Sequence, residues 1–259
     1  MADFLSRGSA DVRDPEISPE GPKETEPLSA KIAEANAQLV DDWADKLYDA
    51  SAQEILEWAH EHAPGKLAVT LSMENTVLAE LAKDFLPDAD FLFLDTEYHF
   101  PETLEVADAV EERYPDQKLV RAKAILSRAE QDRVYGRALY RTNPTACCRM
   151  RKVEPLAVHL SPYVGWVTGL RRADGPTRAQ APALSLDATG RLKISPLITW
   201  SLEDTDDYID DKNLIIHPLT KQGYPSIGCA TCTLPVAEGE DPRAGRWAFS
   251  SKTECGLHS

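Results

Sequence analysis

The chain is expected to fold as an α/β protein, a mostly parallel sheet flanked by helices. Strands and helices alternate from Lys66 to Ala122, and the strands are continuous apolar runs rather than alternating ones. Strands of that kind are buried on both faces, as happens when crossover helices cover a parallel sheet. The composition agrees, with 42% hydrophobic residues in 259 and no apolar run near the ~20 residues that cross a bilayer.

From Ser29 to about Tyr48 the apolar residues recur at helical spacing, and Ser51-Ala52-Gln53-Glu54 is a capping box that opens a second helix through Trp58. Lys66–Leu71 reads as a buried strand, Ser72-Met73-Glu74-Asn75 as a turn, and Thr76–Phe85 as a helix with Val77, Leu78, Leu81 and Phe85 on its apolar face. Phe91–Asp95 forms a second strand, Thr96–Phe100 a loop, and Pro101 opens another helix at a position where proline is tolerated. Lys118–Ala122 supplies a third strand, Tyr163–Leu170 another, and Arg191–Ser201 short strand material before an acidic helix over Leu202–Asp210. Ligands of such folds sit at the carboxyl ends of the strands, here Ser72–Asn75 and Asp95-Thr96.

Three segments are expected. Residues 1–27 are acidic and proline-rich and read as disordered, 28–240 as the α/β domain, and 241–259 as an arginine-containing segment ending in a mobile tail. The N-terminal residues lack the layout of a secretory signal, which predicts a cytoplasmic protein. Oligomeric state is left open, a homo-oligomer included.

The net charge of −15 argues against nucleic acid as partner. The charge is uneven, however: Lys118–Arg178 holds 13 Lys or Arg against four acids. A basic segment in an acidic chain fits a small anion or a cluster with thiolate ligands, and equally a solvated helix face.

The five cysteines are an odd number in a chain with no visible export signal, so a disulfide framework is not expected. Cys147-Cys148 and Cys229-Ala230-Thr231-Cys232 present four thiols in two close pairs on basic or glycine-rich loops. Four thiolates suit structural zinc or an iron–sulfur cluster; directly adjacent cysteines fit zinc less well, and buried apolar thiols are the plain alternative. Cys255 stands apart in the tail, as an incidental surface thiol or a nucleophile favoured by nearby cations such as a protonated His258. Arg171, Arg172, Arg178, Arg243 and Arg246 lie on glycine-containing loops, where guanidinium forks suit phosphate or sulfate oxygens.

Taken together, these residues resemble the cluster-containing branch of the assimilatory adenosine 5′-phosphosulfate reductase family. The resemblance spans about Lys66 to His258. It rests on Leu94-Asp95-Thr96 with Tyr98–Thr103, Cys147-Cys148 followed by Arg151–Leu156, and Thr168-Gly169-Leu170-Arg171-Arg172. It rests also on Gly228–Thr233, Arg246-Trp247 and the tail Glu254-Cys255-Gly256-Leu257-His258. The resemblance implies an adenine-nucleotide α-hydrolase-like fold related to ATP pyrophosphatases. Adenosine would lie against Ser72, Met73, Glu74, Asn75 and the strand end Leu94, Asp95, Thr96. A [4Fe–4S] cluster would be held by Cys147, Cys148, Cys229 and Cys232, with Lys152 between cluster and phosphosulfate. Arg178, Arg243, Arg246 and His258 would neutralise the substrate oxygens, supported by Arg171 and Arg172. Cys255 would attack sulfur, forming an S-sulfocysteine that reduced thioredoxin or a similar dithiol donor cleaves to sulfite.

The alternatives are a reductase of the 3′-phosphorylated nucleotide, which usually lacks the cluster cysteines, an ATP-dependent sulfur-transfer enzyme and a zinc-binding interaction module. A sulfur-transfer enzyme would carry a Ser-Gly-Gly-x-Asp-Ser loop where this chain has Ser72-Met73-Glu74-Asn75.

Overall fold

A computed structural model describes residues 27–237, 239–250, 252 and 256–257. The expected acidic segment 1–27, all but its last residue, lies outside these. Two helices come first, α1 (Ala30–Leu47) and α2 (Ala52–His62). Ser51 and Glu54 close the capping box on α2 through both reciprocal bonds, which satisfies donors the helix cannot pair internally.

The sheet then builds from β1 (Leu67–Leu71), α3 (Val77–Phe85), β2 (Asp90–Asp95), α4 (Pro101–Arg113) and β3 (Leu119–Lys123). Four short helices follow: α5 (Arg128–Tyr135), α6 (Leu139–Thr142), α7 (Pro144–Cys148) and, after a π-helical turn at Arg149–Val153, α8 (Glu154–His159). Strand β4 (Gly165–Val167), the hairpin β5 (Leu184–Leu186) and β6 (Leu192–Ile194), and α9 (Leu202–Lys212) complete the body.

The strand order is β3-β2-β1-β4-β6-β5, with every pairing parallel except β5 with β6. The expected mostly parallel sheet is therefore present, with one antiparallel edge strand. The sequence did not reveal β5: three residues with only Leu184 fully buried carry too little periodicity to read. Cys147 and Cys148 also differ from expectation, since they end a helix rather than lie on a loop. Asn143 caps that helix through a 3.0 Å bond from Ala146 N–H, and Pro144 occupies its first turn.

The main core packs α2, α3, α4 and α9 around the sheet, with Ile55, Leu56, Val69, Phe91 and Ile194 at or near zero exposure. Beyond α9, where the periodic pattern fades, the chain still contributes buried side chains: His217, Leu219, Ile227, Cys232 and Trp247. None of the helices among the described residues is long and apolar enough to cross a membrane.

Chain order reverses between β1 and β4: β2 and β3 were laid on one side of β1, and β4, β6 and β5 on the other. Diverging loops at such a point leave a crevice at the carboxyl ends of the strands. The far end of β4 is tied to α1 by Asn36, a fully buried residue whose amide donates at 2.9 Å to the carbonyls of both Val164 and Gly190. Asn36→Ala is expected to destabilise the fold by roughly 1–3 kcal/mol, because it removes two hydrogen bonds that join α1 to the sheet and leaves the half-buried Gly190 carbonyl without this donor, while Leu192 N–H still serves Val164. Urea unfolding measures it; a change under about 0.5 kcal/mol, the scale of an ordinary surface substitution, would show that the amide is not holding the two segments together.

Candidate functional site

A cavity of about 440 Å³ occupies the crevice between β1 and β4. Thr70, Leu71 and Ser72 reach it from β1 and the following turn, and Thr168, Gly169 and Leu170 from beyond β4. Of the residues expected to bind substrate, Ser72, Glu74, Asn75, Leu94, Arg171, Arg178, Arg243 and Arg246 line this one space, as does Lys152.

Four others do not. Met73 has a left-handed backbone, with φ 64°, and buries its side chain in the core at 1% exposure. It anchors the turn from below, which offsets the cost of that conformation. Asp95 accepts the Glu97 N–H at 3.0 Å and stands 3.6 Å from Lys123. Thr96 is fully buried beside Cys229, its Oγ1 3.4 Å from the sulfur. Arg172 turns away to α1, donating to the Tyr48 carbonyl and the Asp49 carboxylate, each at 2.6 Å, and stacking 3.8 Å over the Tyr48 ring. It ties the loop after β4 to the helix pair and is not at the cavity.

Asp174 joins two of the lining arginines. Its carboxylate accepts Arg171 Nε at 2.9 Å and Arg178 Nη1 at 3.1 Å, while Arg171 Nη1 donates to Thr205 at 2.8 Å. The guanidinium forks are thus held before any ligand arrives. Glu74 faces the same group. Burial pushes its carboxyl above the usual carboxylate range, and the Ile227 N–H at 3.2 Å with the charges of Arg171 and Arg246 pulls it partly back.

His99 also lines the cavity, and sequence reasoning quoted it only within a motif. Its Nε2 lies 2.8 Å from the Leu94 carbonyl and 3.2 Å from the Thr96 N–H. Nε2 thus meets both a carbonyl acceptor and an N–H donor, while Nδ1 is buried without a hydrogen-bond partner. Burial lowers the His99 pKa below its ordinary value, the Leu94 carbonyl opposing and the charge of Lys152 adding to the shift.

The four expected ligand cysteines line a second, narrow cavity beside the first. Cys147 and Cys148 come from the end of α7; Cys229 caps and Cys232 ends a single 3₁₀ turn held by the Ala230 N–H on the Tyr98 carbonyl at 2.7 Å. All four are thiols outside any disulfide, and three are buried. The Cys147 thiol is pushed up to about 12 by burial and then by repulsion from Cys148, Cys229 and Cys232, with Arg151 opposing. Burial likewise raises Cys232, against the pull of Lys152 and Arg246. Among the described residues no three His, Cys, Asp or Glu converge on a position that would hold a single metal ion.

Arg151, which follows the cysteine pair within the π-helical turn, is 1% exposed. It donates at 2.7 Å to Gln131 through Nε and to Glu97 through Nη1, while Nη2 stays buried without a partner at the cysteine cavity. The sequence singled out Lys152 and not its neighbour, for which basic character alone was the signal. Lys152, Arg246 and Trp247 line both cavities and form the wall between them. Cys255 and His258 lie outside the described residues; Leu257, between them in sequence, lines the larger cavity.

Comparison with known proteins follows the same outline. Residues 66–235 match the model of the phosphoadenosine phosphosulfate reductase domain. The adenosine 5′-phosphosulfate reductase of Mycolicibacterium smegmatis is 49% identical over 222 residues, covering 85% of this chain and 94% of the relative. That of Rhodococcus erythropolis is 46% identical over 243 residues, covering 90% and 98%. Among solved structures, the phosphoadenylyl-sulfate reductase from Candida auris in its phosphate complex superposes with a TM-score of 0.64 at 26% identity, over 76% of this chain and 97% of that one. With the sheet order, the paired cavities and the four cysteines already in place, these matches show that the chain belongs to the phosphoadenosine phosphosulfate reductase family, among its adenosine 5′-phosphosulfate reductases.

Proposed function

We propose that this protein reduces adenosine 5′-phosphosulfate to sulfite and AMP for sulfate assimilation, with electrons from thioredoxin or a similar dithiol. The observation that carries the reading is the shared wall: Lys152 and Arg246 line both the arginine-rich cavity and the four-thiol cavity. A phosphosulfate is an anion that needs several cations at once, and a thiolate nucleophile must approach it against charge repulsion. Arg171 and Arg178, braced by Asp174, with Arg243, Arg246 and Lys152, suit that task. Leu78, Leu94 and Leu197 give the cavity apolar surface that suits a purine.

In this reading Cys255 thiolate attacks the sulfate sulfur, the bond from sulfur to the phosphate oxygen breaks, and AMP leaves with the electron pair. The dithiol then attacks Cys255 Sγ, sulfite departs, and the donor finishes as a disulfide, which balances the two electrons. Leu257 lining the cavity supports a tail that reaches the substrate. His258 would add a further cation there. The relatives' printed names and the presence of all four cysteines favour the nucleotide without a 3′-phosphate.

The same reading assigns a [4Fe–4S] cluster to Cys147, Cys148, Cys229 and Cys232. The donor set fits: four thiols around one space, whose wall also holds Arg151 with its buried Nη2 unpartnered. When bound, the cluster would supply negative charge in the cavity that the half-buried Lys152 also lines.

Two outcomes test the proposal. Cys255→Ser should abolish sulfite release from adenosine 5′-phosphosulfate under anaerobic conditions with reduced thioredoxin, and intact-mass spectra without reductant should show a sulfite-sized adduct on the wild type alone. Turnover by the mutant at the wild-type rate would remove Cys255 from the reaction. For the cluster, Cys232→Ser should lower iron and acid-labile sulfide together. Because the Cys147 thiol is held up at about 12, it is protonated in the metal-free chain, and loading must expel that proton. Iron uptake should therefore strengthen as the pH of reconstitution rises from about 7 to 9. Anaerobically prepared protein that carries zinc and no iron would overturn the assignment.

A further inference from the structure

Gly228, the residue before Cys229, has no backbone reason to be glycine: it is absent from the positions with left-handed φ. Its missing side chain matters for another reason. A Cβ built on Gly228 would stand 2.6 Å from Cζ and 3.1 Å from Nε of Arg246, and closer still to Nη2. The guanidinium lies flat against the main chain that leads into the cysteine turn. Arg246 Nη1 donates to Ser226 Oγ at 3.1 Å and to the Ile227 carbonyl at 3.2 Å, and the group stacks 4.8 Å from the Trp247 ring. Its Nε remains buried without a partner.

Gly245 provides the contrast. A Cβ there would meet the backbone of Leu234, with its carbonyl carbon at 3.0 Å, and backbone cannot step aside. At Gly228 the obstacle is the end of a flexible side chain. A substitution there moves the arginine and leaves the chain path alone.

We infer that Gly228 is a positioning residue for Arg246: by carrying no side chain it seats the guanidinium on the Ser226–Gly228 segment, at the wall between the two cavities. The inference rests on the reading of Arg246 as a phosphosulfate-binding residue. It also makes the loop that presents Cys229 and the anion site one mechanical unit, since Thr233, just past Cys232, pairs with Arg246 through the backbone.

A double-mutant cycle tests it, with kcat and KM for adenosine 5′-phosphosulfate and iron content measured for each variant. Gly228→Ala should lower kcat/KM by roughly 100-fold, the scale of an ångström of misplacement at a catalytic centre, and Arg246→Ala by at least as much. In the Arg246→Ala background, Gly228→Ala should cost almost nothing further. Should Gly228→Ala lose iron or stability, the double variant should recover it, because the obstructing atoms are gone. An equal penalty in both backgrounds, or a double variant as iron-poor as Gly228→Ala, overturns the inference, since the glycine would then act on the cysteines directly. Impaired Arg246→Ala beside unimpaired Gly228→Ala overturns the inference alone. Wild-type kcat/KM in Arg246→Ala removes the role given to Arg246, and the inference with it.

Discussion

Four thiols facing one space, three of them buried, repel one another once ionised, and the rest of the site is arranged around that repulsion. Burial and mutual charge hold Cys147 up at about 12, opposed by Arg151; at Cys232 the Thr231 hydroxyl opposes burial first, followed by the cations Lys152 and Arg246. Of these cations, Lys152 and Arg246 also line the larger cavity. Cations recruited to offset sulfur charge on one side are thereby available to an anionic substrate on the other. Neither cavity is independent of its neighbour.

Holding a cation in such a place needs bracing. Arg151 is fixed by Gln131 and Glu97, and Glu97 in turn accepts the N–H of Arg128, joining the cysteine helix to the loop after β2. Arg171 and Arg178 are fixed by Asp174. Arg246 is seated on a glycine. Each guanidinium is paired in advance with a carboxylate, an amide or a backbone carbonyl, which limits the ordering cost when substrate binds. The parallel sheet supplies the platform: the reversal of strand order beside β1 opens the crevice, and the segment beyond α9 folds back across it to deliver Ile227, Cys229, Cys232 and Arg246.

Much of this could be read from local pattern. Apolar runs and capping boxes located β1, β2 and the long helices, because burial on both faces and helix capping leave local traces, and the half-buried β3 was placed by the strand-helix alternation. The short edge strand β5 left none. The basic stretch from Lys118 to Arg178 was legible as charge, but its members have different fates. Arg121 pairs with Asp108 on the surface of α4, Arg149 with Glu154, and Arg172 with Asp49, while Arg151, Lys152, Arg171 and Arg178 reach the cavities. Charge counts cannot separate these, since the sorting depends on which carboxylate folds alongside.

The sequence by itself determined the kind of chemistry: four cysteines in two pairs, loop arginines, a fifth cysteine in the tail, and an α/β framework with its ligand crevice at the strand ends. Tertiary structure alone decided how these parts meet. It placed Met73 in the core, Thr96 against Cys229 and Arg172 on Tyr48, and it brought His99, Asp174 and Arg151 to the cavity walls. The physical reason is that donor and acceptor types are properties of a residue, whereas burial, charge pairing and the close approach of Arg246 to Gly228 arise between segments far apart in the chain.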